Sequence, residues 1–337
     1  MPADGEAAAG KTNFASMLTS LHIQNFRAFR DLKLDGLGRI NLIAGGNNVG
    51  KTALLECLLL SLFDPQNGQL RELPKQFRTS ANNTQGYDYW DWAIPMPRSS
   101  NVSLFEIQDT VAGKQLWKFS FGGVEPSEGY NYHLGRLGRS EVWLSGRPRP
   151  NCPKWAVFST FPADPIRDAF DYNRVILKKR KSRVDDLLAK VEPRLAGIES
   201  IQVEGLGPML YAEIGLPELI PVTQLGQGFN RLLDIYSELV AEEAKVLLID
   251  EIENGLYWKA LPIVWKGLFA AARELDVQIF ATTHSLECIK AADEAARAEG
   301  SYDLALVRLD RVGDDIKPTV MGEEAMRTAR EFGWEIR

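Results

Sequence analysis

One short segment limits the possible folds more than any other. The apolar run INLIA at Ile40–Ala44 is followed by GGNNVGKT at Gly45–Thr52 and then by the helical pattern TALLECLLLSLF. A glycine, four residues and then Gly-Lys-Thr between a strand and a helix is typical of a loop that binds phosphate groups through its backbone N–H groups. The helix N-terminus adds a positive electrostatic end at the same place. The segment therefore predicts an α/β fold with a phosphate-binding strand, loop and helix.

Two side chains of this loop have expected roles. Lys51 would neutralise the β- and γ-phosphates of ATP, and the Thr52 hydroxyl would be a ligand of Mg²⁺. An ordinary glycine turn before a helix is the alternative, and the strand-to-helix context argues against it. The residues expected to bind the nucleotide here are Gly45, Asn47, Asn48, Gly50, Lys51 and Thr52.

Two acidic residues follow a second apolar run. KVLLIDE ends in Asp250 and Glu251, and an acid at the end of a strand beside a phosphate loop is expected to bind Mg²⁺, directly or through water. Glu251 would polarise the attacking water as a general base. An ordinary strand-end turn is the alternative. Thr52 and Asp250 are therefore the predicted metal ligands, and Glu251 is a predicted catalytic residue.

A glycine turn and a histidine complete the set of candidate residues. In LGQGFNR, Gly226 and Gly228 precede an amphipathic helix, whose N-terminus could donate backbone hydrogen bonds to a phosphate. Because the nucleotide of the same chain is already bound by the phosphate loop, this turn is expected to bind the nucleotide of a second subunit. His284 follows the apolar run VQIFATT and could reach the γ-phosphate as a second catalytic residue. The plainer alternatives are a helix cap and a structural histidine.

The order of the elements favours an α/β domain. From Thr223 onward, helical and strand patterns alternate, which is typical of a parallel sheet covered by helices on both faces. LTSLHIQNF and DLKL predict early strands, NVSLFEIQ and KQLWKFSF predict a hairpin, and residues 122–172 give no assignment. We expect a P-loop NTPase fold with an ABC-ATPase-like head, a mixed sheet, an antiparallel β subdomain and an inserted arm. The expected division is a flexible tail at 1–17, a core at 18–63 plus 215–337, and an arm at 64–214.

Composition limits the class of protein. The 337 residues carry a formal net charge of -6, which argues against a chain coated with basic residues for nucleic acid, although a local patch is compatible with it. The three cysteines and three histidines have no metal-ligand spacing, which argues against a zinc site or a disulfide framework. Because no apolar run has the length of a membrane span or signal peptide, a cytoplasmic protein without membrane contact is expected.

Together these motifs resemble those of the ABC-type ATPases, in the branch of RecF, SMC-like and OLD-like proteins. LTSLHIQNFRAFRDLKLDGL is similar to the first strands of that branch, GGNNVGKT to its Walker A loop, and LGQGF to its signature motif. LLIDEIENGL is similar to its Walker B motif and D-loop, ATTHS to its switch histidine, and EFGWEIR to its closing segment. Gly226 stands where many members have a serine, so that hydroxyl contact is missing. The candidates for a Q-loop glutamine are Gln76, Gln85 and Gln108.

The resemblance implies a head-to-tail homodimer around two Mg-ATP, each bound by one subunit's Walker A loop and the other's signature turn. OLD-like nucleases have a TOPRIM domain, for which the residues after Ser285 are too few, and the coiled coils of SMC-like proteins are missing. The expected function is an ATP-hydrolysing switch that controls a separate effector, a nuclease or toxin, in genome maintenance or phage defence. The alternative is the nucleotide-binding subunit of an ABC transporter. A self-contained nuclease or passive DNA-binding protein is disfavoured, because no acidic cluster extends beyond Asp250, Glu251 and Glu253.

Basic and aromatic residues give candidates for further contacts. The run LKKRKSR at Leu177–Arg183 could contact nucleic-acid phosphates, with a solvated face as the alternative. The cluster YDYWDW at Tyr87–Trp92 could stack on bases, although packing or a subunit contact is favoured. Further candidates near the first strands, two arginines for phosphates and two phenylalanines for adenine, are Arg27, Arg30, Phe26 and Phe29.

Overall fold

The computed structural model describes residues 17–62, 102–109, 113–121, 131–137, 140–145, 153–158, 165–332 and 336. The strands within these residues are β1 (Leu18–Phe26), β2 (Phe29–Asp35), β3 (Ile40–Gly45), β4 (Val102–Asp109), β5 (Gly113–Phe121), β6 (Asn131–Leu137), β7 (Ser140–Ser145), β8 (Trp155–Phe158), β9 (Gly197–Val203), β10 (Gly207–Glu213), β11 (Ile220–Pro221), β12 (Val246–Ile249), β13 (Gln278–Thr282), β14 (Leu304–Val312) and β15 (Asp315–Met321). The α-helices are α1 (Lys51–Ser61), α2 (Pro165–Leu177), α3 (Lys181–Ala189), α4 (Gln227–Glu242), α5 (Leu261–Glu274), α6 (Leu286–Ala298) and α7 (Glu323–Phe332).

A mixed six-stranded sheet forms the centre of the fold. Its order is β15-β14-β3-β13-β12-β8, and every neighbouring pair is parallel except β14 with β15. Because β3, β12 and β13 are buried throughout, they read in the sequence as continuous apolar runs rather than as alternating ones. The parallel pairing brings the carboxyl ends of these three strands to one edge, where the candidate residues follow them.

Two hydrophobic clusters cover the faces of the central sheet. On one face, Leu232 of α4, Trp265 of α5 and Ile289 of α6 pack in one cluster with alternate residues of the strands. On the other face, α1 lies in a cluster that also contains buried residues of β1 and β2. This explains why α1 is buried on all sides from Ala53 to Ser61: a helix between two sheets has no solvated face.

The remaining strands form two antiparallel sheets. One has the order β2-β1-β4-β5-β7-β6, and the other has the order β11-β10-β9. The predicted hairpin is confirmed, since β4 pairs with β5 up to Asp109 opposite Gly113. The expected α/β class, with a mixed sheet and an antiparallel β region, is confirmed as well.

The range 64–214, predicted as an inserted arm, contributes to more than one sheet. Strands β4 to β7 extend the sheet of β1 and β2, whereas β8 pairs in parallel with β12, with Trp155 opposite Val246. Four residues are too few to give a periodic pattern, so β8 was not recognisable in the sequence. The division into core and arm stays a prediction. The tail before Met17, Gln76, Gln85 and the aromatic cluster Tyr87–Trp92 lie outside the described residues.

Within the described part of the chain, no helix combines the length and the apolar character needed to cross a membrane.

Candidate nucleotide-binding site

The loop between β3 and α1 requires glycine at two positions. Gly45 has a φ of +144°, and a Cβ added to it would lie 2.5 Å from the backbone oxygen of Leu309. Gly50 has a φ of +95°, and its Cβ would lie 2.8 Å from the ring of Phe29. Both the left-handed backbone and the close neighbours exclude other residues. Asn48 also has a positive φ, of 60°, a region that asparagine tolerates better than most residues.

Lys51 lies over this loop. Its ammonium donates hydrogen bonds to the carbonyl oxygens of Gly45 at 2.9 Å and Gly46 at 2.8 Å. Burial lowers the pKa of Lys51, and the nearby carboxylates of Glu251 and Asp250 oppose that change. The loop therefore has a partly desolvated cation at the point where phosphate charge would be neutralised.

The two predicted metal ligands are in direct contact. The Thr52 hydroxyl lies 3.0 Å and 3.2 Å from the two carboxylate oxygens of Asp250. Asp250 is buried, with 6% of its surface exposed, and its backbone N–H donates to Phe158 of β8 at 2.8 Å. The edge strand β8 thus fixes the backbone of the acid that faces the loop.

Thr282, at the end of β13, connects the two acids. Its hydroxyl donates to Oδ1 of Asp250 at 2.6 Å and accepts from the backbone N–H of Glu251 at 2.8 Å. Glu251 itself has a φ of 47°, so this hydrogen bond supports a backbone conformation that is unfavourable for most residues. Sequence reasoning missed Thr282, although its place in ATTHS, at the end of an apolar run, was a usable signal.

His284 contacts a third acid. Its backbone N–H donates to Oε1 of Glu253 at 2.7 Å, and its Nδ1 lies 3.1 Å from the same oxygen. Glu253 also acts electrostatically on Lys51, so the histidine and its acid lie close to the phosphate loop. No pattern in the sequence indicated a role for Glu253.

The two glycines of the LGQGF segment lie apart from this group. Gly226 precedes α4 with a φ of 94°, and a Cβ on Gly228 would lie 3.2 Å from Cβ of Ala260. Between them, Gln227 accepts a hydrogen bond from the backbone N–H of Tyr257 at 3.1 Å. In the part of the chain that the structure describes, these contacts join the turn to the segment before α5 and none joins it to the phosphate loop.

An arginine beyond the motifs supports the loop from outside. Arg311 of β14 donates to the carbonyl oxygen of Asn48 at 2.8 Å. Asn47 and Asn48 are both exposed, so neither is committed to the core. Sequence reasoning could not have found Arg311, because only the pairing of β14 with β3 brings it to the loop.

The residues fit a nucleotide with Mg²⁺. A hydroxyl and a carboxylate are the hard oxygen donors that Mg²⁺ prefers, and the ion usually takes its other ligands from phosphate and water. The Thr52 hydroxyl, in the first turn of α1, lies within hydrogen-bond distance of the Asp250 carboxylate. Because glycines have no side chain to block the loop, its backbone N–H groups and the Lys51 ammonium are the groups available to phosphate oxygens.

For three of the four candidates in the β1–β2 hairpin, the expectation is wrong. Phe26 and Phe29 are 2% and 1% exposed, and Phe29 packs beneath Gly50, so neither presents a ring to a base. Arg27 forms an ion pair of 2.6 Å with the buried Glu56 of α1. These three side chains anchor the hairpin to the loop helix and do not face solvent.

The basic run Leu177–Arg183 contacts the end of α4. Lys178 donates to the carbonyl oxygen of Ala241, and Arg180 donates to that of Val240 at 3.2 Å. Cations at these carbonyl groups satisfy hydrogen bonds that the helix leaves open and complement its negative end. Ion pairs with acids of the same helix end and of α3 involve Lys178 with Glu242, Arg180 with Glu243, and Lys181 with Asp185. A solvated, structural surface therefore explains most of this charge.

Known families and structures resemble this chain. A family model described as an AAA domain matches residues 20–92, and one described as "AAA domain, putative AbiEii toxin, Type IV TA system" matches residues 125–289. An ATP/GTP phosphatase of Helicobacter pylori is 23% identical over 340 aligned residues, which cover 83% of this chain and 89% of that protein.

Two solved structures of SMC heads share the fold. The head bound to the C-winged helix domain of ScpA aligns with a TM-score of 0.56 and 13% identity, over 92% of this chain and 99% of that one. The head with an extended coiled coil, bound to the C-terminal domain of ScpA derived from Pyrococcus furiosus, aligns with a TM-score of 0.54 and 12% identity, over 94% and 100%. The two family models support an AAA-type ATPase domain, and the chain shares the P-loop NTPase fold of SMC heads.

Proposed function

We propose that this ATPase hydrolyses Mg-ATP to ADP and phosphate, and that the nucleotide closes a head-to-tail dimer that controls a separate effector. The observation that carries the proposal is the contact of 3.0 Å between the Thr52 hydroxyl and Asp250. It brings a hydroxyl from the loop helix and a carboxylate from the end of β12 to one point, as phosphoryl transfer requires. Bound there, Mg²⁺ would neutralise phosphate charge and orient the phosphate oxygens.

The chain's own residues would divide the work of hydrolysis. Lys51 would exchange its two loop carbonyls for phosphate oxygens, which accept more strongly from a cation. Glu251 would take a proton from the attacking water, because it directly follows Asp250 and its backbone is fixed by Thr282. His284 would contact the γ-phosphate from the end of β13.

The signature turn supports the dimer. Within the described residues, Gly228 lies beside Ala260, and Gln227 accepts from Tyr257 rather than contacting the phosphate loop. A phosphate contact from the two glycines would therefore come from a second copy of the chain. Beside the turn, Tyr257 and Trp258 are large apolar residues with 57% and 56% exposure. Exposed aromatic residues of this kind are favoured at protein interfaces. The second subunit would cover them when the dimer closes.

Control of a separate effector is the biological part of the proposal. One of the matching family models is described by a putative AbiEii toxin and a type IV toxin–antitoxin system, which is compatible with phage defence. The effector that we propose is a nuclease or a toxin. The biological setting is either phage defence or genome maintenance. Purification of the tagged protein from its own host tests this: a nuclease or toxin bound only with ATP supports it, whereas an integral membrane protein would favour a transporter subunit.

The dimer is tested by analytical ultracentrifugation. Glu251→Gln should bind Mg-ATP without turning it over, so it should sediment as a dimer with Mg-ATP and as a monomer without nucleotide. Adding Lys51→Met should abolish the shift, because the loop then lacks its cation, while adding Lys266→Met, an exposed lysine of α5, should leave it intact. A monomer of Glu251→Gln at saturating Mg-ATP would refute the dimer.

A further inference from the structure

Glu253 makes a double contact with His284. Its Oε1 accepts from the backbone N–H of His284 at 2.7 Å and lies 3.1 Å from the ring Nδ1. The exposures differ greatly: 11% for the Glu253 side chain and 53% for that of His284. The buried carboxylate is thus the fixed partner, and the half-exposed ring is the group that it holds.

The segment that carries Glu253 is itself tied to the end of β13 and closed by a turn of its own. The backbone N–H of Ile252 donates to Thr282 at 3.0 Å, and that of Leu256 donates to the carbonyl of Glu253 at 3.0 Å. Ile252 is fully buried. Because the end of β12 carries Glu253 and the end of β13 carries His284, the contact joins the Walker B segment to the switch histidine.

The chemistry of the contact decides which ring nitrogen carries a proton. A carboxylate oxygen at 3.1 Å attracts an N–H group and repels a nitrogen lone pair, so the contact favours the proton on Nδ1. In a neutral imidazole the other nitrogen is then the acceptor, and which nitrogen is protonated follows from the hydrogen bond that the first one makes. Nε2 is left for a contact on the side of the ring away from Glu253.

We infer that Glu253 is a positioning residue for His284: it fixes the Nδ1-protonated form of the ring and turns Nε2 toward the nucleotide. The first half concerns this chain alone. The second half rests on the proposed function, since it assumes that a γ-phosphate is bound at the loop. Glu253 needs no contact with the nucleotide, because it acts through the histidine.

The protonated nitrogen can be read directly by NMR. The chain has three histidines, so ¹⁵N labelling of histidine gives few signals, and His284→Gln identifies those of His284. At a pH where the ring is neutral, we expect the proton on Nδ1 in the wild type and in Glu253→Gln, whose amide oxygen still accepts. In Glu253→Ala, we expect the signals to change toward the Nε2-protonated form. The same form in the wild type and in Glu253→Ala would overturn the inference.

Kinetics test whether the positioning matters for hydrolysis. We expect Glu253→Ala to lower kcat about 10- to 100-fold, as removal of a residue that orients a functional histidine does elsewhere, with the Kd for ATP within about twofold. In a His284→Ala background the same change should cost less than about twofold, because coupled residues are not additive. Equal losses in both backgrounds would show that Glu253 acts independently of His284.

Control measurements distinguish a loss of folding from a loss of ring orientation. Thermal unfolding midpoints of Glu253→Ala and Glu253→Gln show whether each variant is folded, and Glu253→Gln should retain most of the wild-type kcat if orientation rather than charge is what matters. If the wild type hydrolyses no ATP, the proposed function fails, and the NMR result still decides whether Glu253 fixes the ring.

Discussion

Replacing Thr282 by valine tests how the two acids are held. Valine has nearly the same shape, so the change removes only the hydroxyl, which donates to Asp250 at 2.6 Å and accepts from the Glu251 N–H at 2.8 Å. A hydrogen bond to a charged group contributes about 1.5–3 kcal/mol, and a neutral one about 1 kcal/mol. Both groups are at a buried strand end, so we expect Thr282→Val to lower the free energy of unfolding by about 3 kcal/mol.

The neighbouring threonine is a matched control. Thr283 is equally buried, and its hydroxyl accepts a hydrogen bond from the backbone N–H of Ser285 at 3.0 Å. Thr283→Val should therefore cost about 1 kcal/mol. In thermal unfolding, at about 2 °C per kcal/mol for a chain of this size, the expected decreases in Tm are about 6 °C for Thr282→Val and about 2 °C for Thr283→Val. Equal decreases would refute the argument that Thr282 fixes the acids.

Three further predictions follow from the described contacts. Gly45→Ala should destabilise the protein by about 3 kcal/mol through overlap and backbone strain. Gly46→Ala should leave the thermal midpoint nearly unchanged, because nothing lies within 4 Å of the added Cβ. A larger decrease in Tm for Gly46→Ala than for Gly45→Ala would contradict the loop geometry. Arg180→Ala should cost less than about 1 kcal/mol and leave affinity for duplex DNA unchanged in fluorescence anisotropy, and a large loss of affinity would return this residue to the nucleic-acid candidates. Because burial raises the pKa of Cys288 to about 12, its thiol should react with a thiol reagent at pH 8 only after unfolding, as mass spectrometry would show; rapid labelling in the native state would contradict this.

Candidate site residues could be predicted from the sequence where one short segment contains both a strand and the functional residues that follow it. The loop at Gly45–Thr52, the acids after β12 and the histidine after β13 are each read locally, because an apolar run predicts the strand and the polar residues follow it. The strand order then brings these ends to one edge of the sheet, a result that parallel pairing makes predictable.

The rest depends on contacts between distant segments. Arg311 reaches the loop only through β14, and Glu253 meets His284 only because β12 and β13 are neighbours. The same cause explains the wrong expectations: Phe29 and Arg27 look available in the sequence, but packing of α1 against β1 and β2 buries them. Periodicity gives no information about such pairs.

The rate of phosphate release from Mg-ATP by the purified protein tests the central claim most directly, with Glu251→Gln compared against the wild type and against Glu324→Gln, an exposed acid of α7. We expect turnover in the wild type and in Glu324→Gln, and a rate lower by about 10² or more in Glu251→Gln with ATP affinity retained. An equal rate in Glu251→Gln would contradict the assignment of Glu251 as the base, and with it the account of hydrolysis given for this site.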